Sequence, residues 1–141
     1  MSRWSKAIVG GLVAGSIAVS AAGFAAQNPG GSAEARKVKN PVAPTAASIM
    51  KGGQLYQKNC QFCHGPTGLG DGKLAPKGVH PANLTDAAWD RGSTDGEIFA
   101  VIANGAGPEF KMKGVKGRVS DTEIWHIVNY VRSLGPKKAP R

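Results

Sequence analysis

Three stretches of the 141-residue chain repeat apolar residues with a helical period. In the clearest, Ile124, Ile127, Val128, Val131 and Leu134 stand at i, i+3, i+4, i+7 and i+10. That spacing lays one apolar stripe along an α-helix. Ser120 precedes the run and Glu123 follows three residues later, a capping box, so the pattern predicts a helix over 121–134. Thr94 and Glu97 form a second capping box ahead of Ile98, Val101 and Ile102, and Asn104-Gly105 stops the run, which predicts a helix over 95–103. A third helix, over 47–59, rests on Ile49, Met50, Leu55 and Tyr56 and carries Gly52 and Gly53. Each glycine weakens a helix interior by about 1 kcal/mol relative to alanine, so the pair implies the close approach of another helix. No stretch alternates with period two and no internal repeat is present. The expected fold class is all-α, with three main helices, long loops and almost no sheet.

The ends of the chain read differently. Arg3 and Lys6 precede an uncharged run from Ala7 to Ala26 whose strong apolar members are Ile8, Val9, Leu12, Val13, Ile17, Val19 and Phe24. This is the pattern of a secretory signal, with small residues at Gly23 and Ala25 for cleavage after Ala25 and a further small residue at Ala22. Left uncleaved, the same run is long enough to anchor the chain in a membrane. Both readings export the remainder, to the periplasm or an equivalent oxidising space. Residues 27–45 hold Pro29, Gly30, Gly31, Pro41 and Pro44 among Arg36, Lys37 and Lys39, without a hydrophobic period, and are expected to be a flexible linker. Residues 136–141 form a basic tail. The folded domain is then 46–135, a span of 90 residues.

Composition sharpens that outline. Aromatic residues are only 6% of the chain, and the 20 glycines include six between Gly65 and Gly92. A small domain so composed struggles to fill its own core, which makes an added core element an expectation. Lys and Arg number 18 against 9 Asp and Glu, a net charge of +9, yet charged residues are only 19%. That excludes a disordered polyelectrolyte. Two cysteines exclude a disulfide-rich scaffold and an all-cysteine zinc site.

Those two cysteines carry the chemistry, in Cys60-Gln61-Phe62-Cys63-His64. Thiols at i and i+3 share one side of a helical turn. The spacing suits thioether bonds to the two vinyl groups of one haem, and Cys-x-x-Cys-His is the signature of covalent c-type haem attachment, with the histidine free to bind iron. A thioredoxin-like pair would need a strand–helix context and does not call for the trailing histidine. Half a zinc site would need two further ligands, and a disulfide at this spacing would close a very short loop.

With those residues in view, the chain resembles the class I c-type cytochromes across 46–135. Gly52-Gly53-Gln54-Leu55-Tyr56 followed by Cys60-Gln61-Phe62-Cys63-His64-Gly65 resembles the family's first helix and haem site. Gly70-Asp71-Gly72 and Pro81-Ala82-Asn83-Leu84 resemble the small bacterial members, including the cytochrome domains attached to cbb3-type oxidases. Ile124-Trp125 through Tyr130-Val131-Arg132-Ser133-Leu134 resembles the last helix. The resemblance implies a cytochrome c fold around one covalent haem, with Gly52 and Tyr56 facing Trp125, Tyr130 or Val131. It implies an electron-transfer protein rather than an enzyme.

The sixth iron ligand separates a carrier from a haem enzyme or sensor acting on peroxide or nitrogen oxides. Met50 reads as core filler, His126 as a solvated residue on a polar face with Asn129 and Ser133, and His80 as a loop residue suited to a backbone or propionate hydrogen bond. The resemblance assigns the position to Met112, eight residues before Ser120, although Lys111 and Lys113 flank it where the family often has Gly and Pro. Met/His ligation raises the potential and closes the iron to substrate. Lys111, Lys113, Lys116 and Arg118 then bracket the haem edge and suit redox partners with acidic docking surfaces, such as a membrane oxidase or dehydrogenase. Nucleic acid is a poor match, because the basic residues interleave with glycine rather than aromatics.

Overall fold

The computed structural model describes residues 31–107 and 111–136. Residues 1–26, expected as a signal or anchor, and most of the basic tail lie outside the described residues. The elements in chain order are α1 (Ala33–Lys37), α2 (Ala46–Asn59), α3 (Gln61–His64), α4 (Asp95–Asn104), β1 (Gly105–Ala106), β2 (Met112–Lys113) and α5 (Asp121–Leu134). The three helices read from the periodicity are α2, α4 and α5, each within one residue of its expected ends. The only sheet among the described residues is the two-residue antiparallel pair β1–β2, in which Gly105 faces Lys113 and Ala106 faces Met112.

Local chemistry starts each helix. Thr45 accepts from the Ser48 N–H at the head of α2. Both expected capping boxes form: Thr94 with Glu97, and Ser120 with Glu123. These contacts satisfy helix donors that otherwise lack partners.

The core is built where α2 crosses α5. Tyr56, Ile124, Ile127 and Val128 are fully buried there, and Ile98 and Ile102 of α4 close the cluster. Gly52 sets the crossing. A Cβ at that position would overlap the carbonyl oxygen of His126 and stand 2.8 Å from the Tyr130 Cβ, so only a glycine lets the two backbones meet. One turn on, the rings of Tyr56 and Tyr130 lie 5.1 Å apart, tilted by 49°. Trp125 turns the other way and stacks on Phe99 of α4, centroids 4.1 Å apart.

The segment before α2 differs from the expected flexible linker. Residues 33–37 form α1, capped by Ser32, and Asn40 donates to the Asn129 Oδ1 on α5 at 2.8 Å. The segment shows no hydrophobic period because polar side chains, rather than an apolar stripe, hold it. Asn129 is a matching correction. Expected on a solvated face, it is 4% exposed and donates to the Val42 carbonyl at 3.0 Å and the Ser48 Oγ at 2.8 Å.

The Gly52 contact leaves little room for relaxation, because the group it meets is the backbone of His126. Gly52→Ala is expected to destabilise the protein by about 3 kcal/mol or more, read as a lowered midpoint in chemical unfolding of the haem-loaded protein. An unchanged midpoint would show that the helices cross elsewhere.

Candidate functional site

The site begins where α2 runs out. Cys60 leaves helical geometry at φ −122°, ψ −38°, ending α2 and opening the short α3. Its N–H still donates to the Tyr56 carbonyl at 2.8 Å, and its own carbonyl accepts from the His64 N–H at 2.9 Å. Cys60, Cys63 and His64 therefore share one turn fixed to the end of α2. Both thiols are half-buried and unpaired.

The chain that follows folds back and ties this turn carbonyl by carbonyl. The Leu74 N–H donates to the Phe62 carbonyl at 2.9 Å, Gly72 to Cys63 at 3.1 Å and Gly70 to His64 at 2.8 Å. The Gly65 carbonyl accepts from the Tyr56 hydroxyl at 2.7 Å. Four successive carbonyls at a helix end, ordinarily without partners, are thus all satisfied. The Gly-Asp-Gly spacing presents alternate N–H groups at the required rise. Burial, and next the neighbouring Cys60, push the Tyr56 phenol well above its ordinary range, so it stays protonated as a donor.

His64 is buried, and its Nδ1 lies 3.1 Å from the Ala82 carbonyl. A carbonyl only accepts, so Nδ1 carries the proton and Nε2 keeps a free lone pair. Burial pulls the histidine below its ordinary pKa against the opposing effect of that hydrogen bond, which favours the neutral, ligating form. The loop supplying Ala82 is itself held. The Leu84 N–H donates to the Gly68 carbonyl at 2.7 Å, and the Thr85 N–H to the Asn83 Oδ1 at 2.9 Å.

The Cys60 thiol is not tuned as a nucleophile. Burial, and next the adjacent Cys63, push the Cys60 thiol up to about 12, whereas reactive redox cysteines have depressed values. Among the described residues no three His, Cys, Asp or Glu side chains gather as a metal cage. Large apolar side chains close in sequence are left uncovered: Phe62, Leu69 and Leu74 all expose half or more of their surface, and the Leu74 carbonyl lies 3.5 Å from the Cys63 Sγ. Two unpaired thiols, an imidazole with one bare nitrogen and uncovered apolar side chains fit a large, flat, covalently held hydrophobic group with a metal at its centre.

The other candidates separate clearly. Met50, expected in the core, is 65% exposed, because it lies on the outer side of α2 away from the α5 crossing. His126, expected to be solvated, is half-buried, and its Nδ1 lies 2.8 Å from the Ser48 Oγ. His80 is exposed. Met112 is half-buried on β2, between exposed Lys111 and Lys113. Lys116 and Arg118 are exposed as well, and Arg118 donates to the Gly114 carbonyl at 3.3 Å. Sequence reasoning missed the Tyr56 hydroxyl and the Ala82 carbonyl. A tyrosine four residues before Cys60 was legible only as an apolar position, and a backbone acceptor leaves no residue signal.

Residues 47–131 match the family model described as cytochrome C oxidase, cbb3-type, subunit III. Over 88 residues, 62% of the chain, it is 36% identical to the cbb3-type cytochrome c oxidase subunit FixP of Azorhizobium caulinodans, and spans 28% of that protein. Over 93 residues, 64% of the chain, it is 31% identical to cytochrome c6 of Leptolyngbya boryana, covering 98% of it. Among solved structures, it is similar to the reducing HAO-like protein complex of Kuenenia stuttgartiensis, with a TM-score of 0.62 and 26% identity over 70% of the chain and 50% of that chain. The fold also matches cytochrome cL of Methylophaga aminisulfidivorans, with a TM-score of 0.52 and 24% identity over 64% of the chain and 57% of that one.

Removing the one side-chain tie on the turn tests the geometry. Tyr56→Phe leaves the buried Gly65 carbonyl with only the long bond from the Gly68 N–H, at 3.3 Å, and is expected to lower stability by about 1–3 kcal/mol, measured by denaturant unfolding, with colour retained on the chain. No loss of stability would show that the Gly68 N–H by itself serves that carbonyl.

Proposed function

The chain belongs to the cytochrome family of cbb3-type oxidase subunit III, and from that premise we propose that it is a single-electron carrier between exported or membrane-held redox partners. Members of this family carry covalent haem c, whose iron supplies a one-electron ferrous–ferric couple. Cys60 and Cys63 are proposed to hold the haem by thioethers, and His64 to offer Nε2 as one axial ligand. The observation that carries this reading is the bare Nε2 beside two thiols, with Nδ1 committed to the Ala82 carbonyl. Such a second hydrogen bond fixes the tautomer and ring orientation of a ligating histidine.

Met112 is proposed as the second axial ligand. Its half-buried place on the β1–β2 pair supports it over the exposed Met50. The hairpin holds it by main-chain bonds, so the Lys111 and Lys113 flanks need not be the glycine and proline that rigidify such a loop elsewhere. With both axial positions filled by the chain, no site is left for substrate, and the protein's work is positional. It keeps the ligands still while one electron enters from a donor and one leaves to an acceptor. The tied carbonyls of 62–65 serve that by resisting rearrangement when the charge changes.

The relatives among cbb3-type oxidase subunits support a partner in a membrane oxidase or a similar redox complex, and the run over 7–26 supports export. No helix among the described residues is long and apolar enough to cross a membrane. The exposed Lys111, Lys113 and Lys116 bracket Met112 and suit an acidic docking surface at that edge.

Two experiments test the reading. Met112→Ala is expected to bind carbon monoxide readily in the ferrous state and to lose the far-red sulfur-to-iron band of the ferric state, while Met50→Leu and His80→Ala keep native ligation. Loss of native ligation in either of the latter, with the band kept in Met112→Ala, would overturn the assignment. Replacing Lys111, Lys113 and Lys116 with Glu should slow electron transfer to an acidic partner by roughly tenfold at low salt, with the gap closing as salt rises. An unchanged low-salt rate would place the contact elsewhere.

A further inference from the structure

Fourteen residues, 32–45, lie docked between the N-terminal run and α2, and almost everything that docks them is polar. The Arg36 Nε is 3.2 Å from the Glu97 Oε1, with the Arg36 side chain 63% exposed. The carbonyls of Ala35 and Val38 lie against Gly96, where a Cβ would overlap the former. Asn40 and Asn129 interlock. The Val42 N–H donates to the Asn40 Oδ1 at 2.8 Å, and the Val42 carbonyl accepts from the Asn129 Nδ2 at 3.0 Å. Backbone groups cannot exchange roles, so both amide orientations are fixed, and the Asn40 Nδ2 is left to donate to the Asn129 Oδ1.

Apolar contact is slight. No residue of α1 is buried, and of the whole segment only Val42 packs on the core. Undocking strands no buried charge. Glu97 keeps the Thr94 N–H and hydroxyl at 2.9 Å each, and the Thr94 N–H bond is the main influence holding its carboxyl below the usual carboxylate range, ahead of Arg36. Asn129 keeps the Ser48 Oγ and loses Asn40, Val42 and Ala43, whose places water takes on the face that opens. A unit with few apolar contacts, whose polar partners water can replace, opens at a lower free energy than the domain it rests on.

We propose that residues 32–45 are a releasable latch that sets the length of the leash between the domain and the segment 1–26. The leash rests on the reading of that segment as a retained anchor. Docked, the segment is taken out of the tether. Released, its extended length adds up to about 45–50 Å of contour, enough for the domain to move between a donor and an acceptor held in one bilayer without unfolding.

The test uses the full-length haem-loaded protein. Amide exchange at Ala35, Arg36 and Val38 should run at least about 100-fold faster than at Ile127 and Val128 of α5. In Arg36→Ala/Asn40→Ala, exchange in the strap should rise about tenfold further, with α5 exchange and the optical spectrum unchanged. One common rate for strap and α5, or an equal rise in both, overturns the latch. In vesicles, the double variant should transfer electrons to an acceptor fixed in the same bilayer at a rate at least about threefold different from wild type, while rates with a soluble acceptor agree. Equal rates in both settings, or an intact mass lacking residues 1–26, overturn the leash. The mass separates that failure from failure of the latch, which the exchange rates judge by themselves.

Discussion

Backbone-to-backbone contact between α2 and α5 at Gly52 is the constraint on which the rest of the molecule depends. With the His126 carbonyl where a side chain would stand, the two helices have no freedom to slide. The contact places Tyr56 one turn later under Tyr130, fully buried. From there the Tyr56 hydroxyl reaches the Gly65 carbonyl, and its carbonyl holds the Cys60 N–H. One glycine thus positions a helix end, and the helix end positions the thiols. The helix weakness that Gly52 and Gly53 introduce is offset by close packing of the surfaces they bring together.

The turn that carries the chemistry is over-determined. A four-residue helix has no stability of its own, yet each carbonyl from Phe62 to Gly65 has a donor from outside the turn, three from residues 70–74 and one from the Tyr56 hydroxyl. The same principle governs His64. Its proton is placed by a backbone acceptor at Ala82, and that acceptor is held by an asparagine turn and by the Gly68 carbonyl. Main-chain groups cannot change role with their surroundings, so the geometry of the turn and of the His64 ring is insulated from side-chain rearrangement. An electron carrier benefits from this, because small structural change between oxidation states keeps transfer fast.

Charge is distributed by task. Carboxylates cluster at helix starts, Asp95 and Glu97 on α4 and Asp121 and Glu123 on α5, where they suit the helix dipole and the two glutamates also accept from the N-cap N–H groups. Arg132 of α5 reaches back to Asp95 at 2.7 Å and lies over the Trp89 ring, binding the loop before α4 to the last helix. The lysines around Met112 are left exposed. With these lysines presented outward, part of the net charge of +9 is concentrated at that edge of the surface.

By itself, the amino-acid sequence determined everything carried by short-range pattern. The periods and capping boxes of α4 and α5 give their extents because helix registry and end satisfaction are local. Gly52-Gly53 announced a close helix contact, and the order Cys60, Cys63, His64 marked one turn as the candidate site. Tertiary structure alone decided what depends on partners distant in the chain. Asn129 looked like surface because polar residues usually are, and its burial becomes tolerable only when Asn40, Val42 and Ser48 converge on it. Residues 32–45 looked like linker because a segment held by interlocked amides and an Arg36–Glu97 pair shows no hydrophobic period. Met50 looked like core because one apolar position on α2 reads like another until the crossing at Gly52 chooses which side faces α5. In each case the free energy lies in long-range pairing, and pairing is a property of the folded chain.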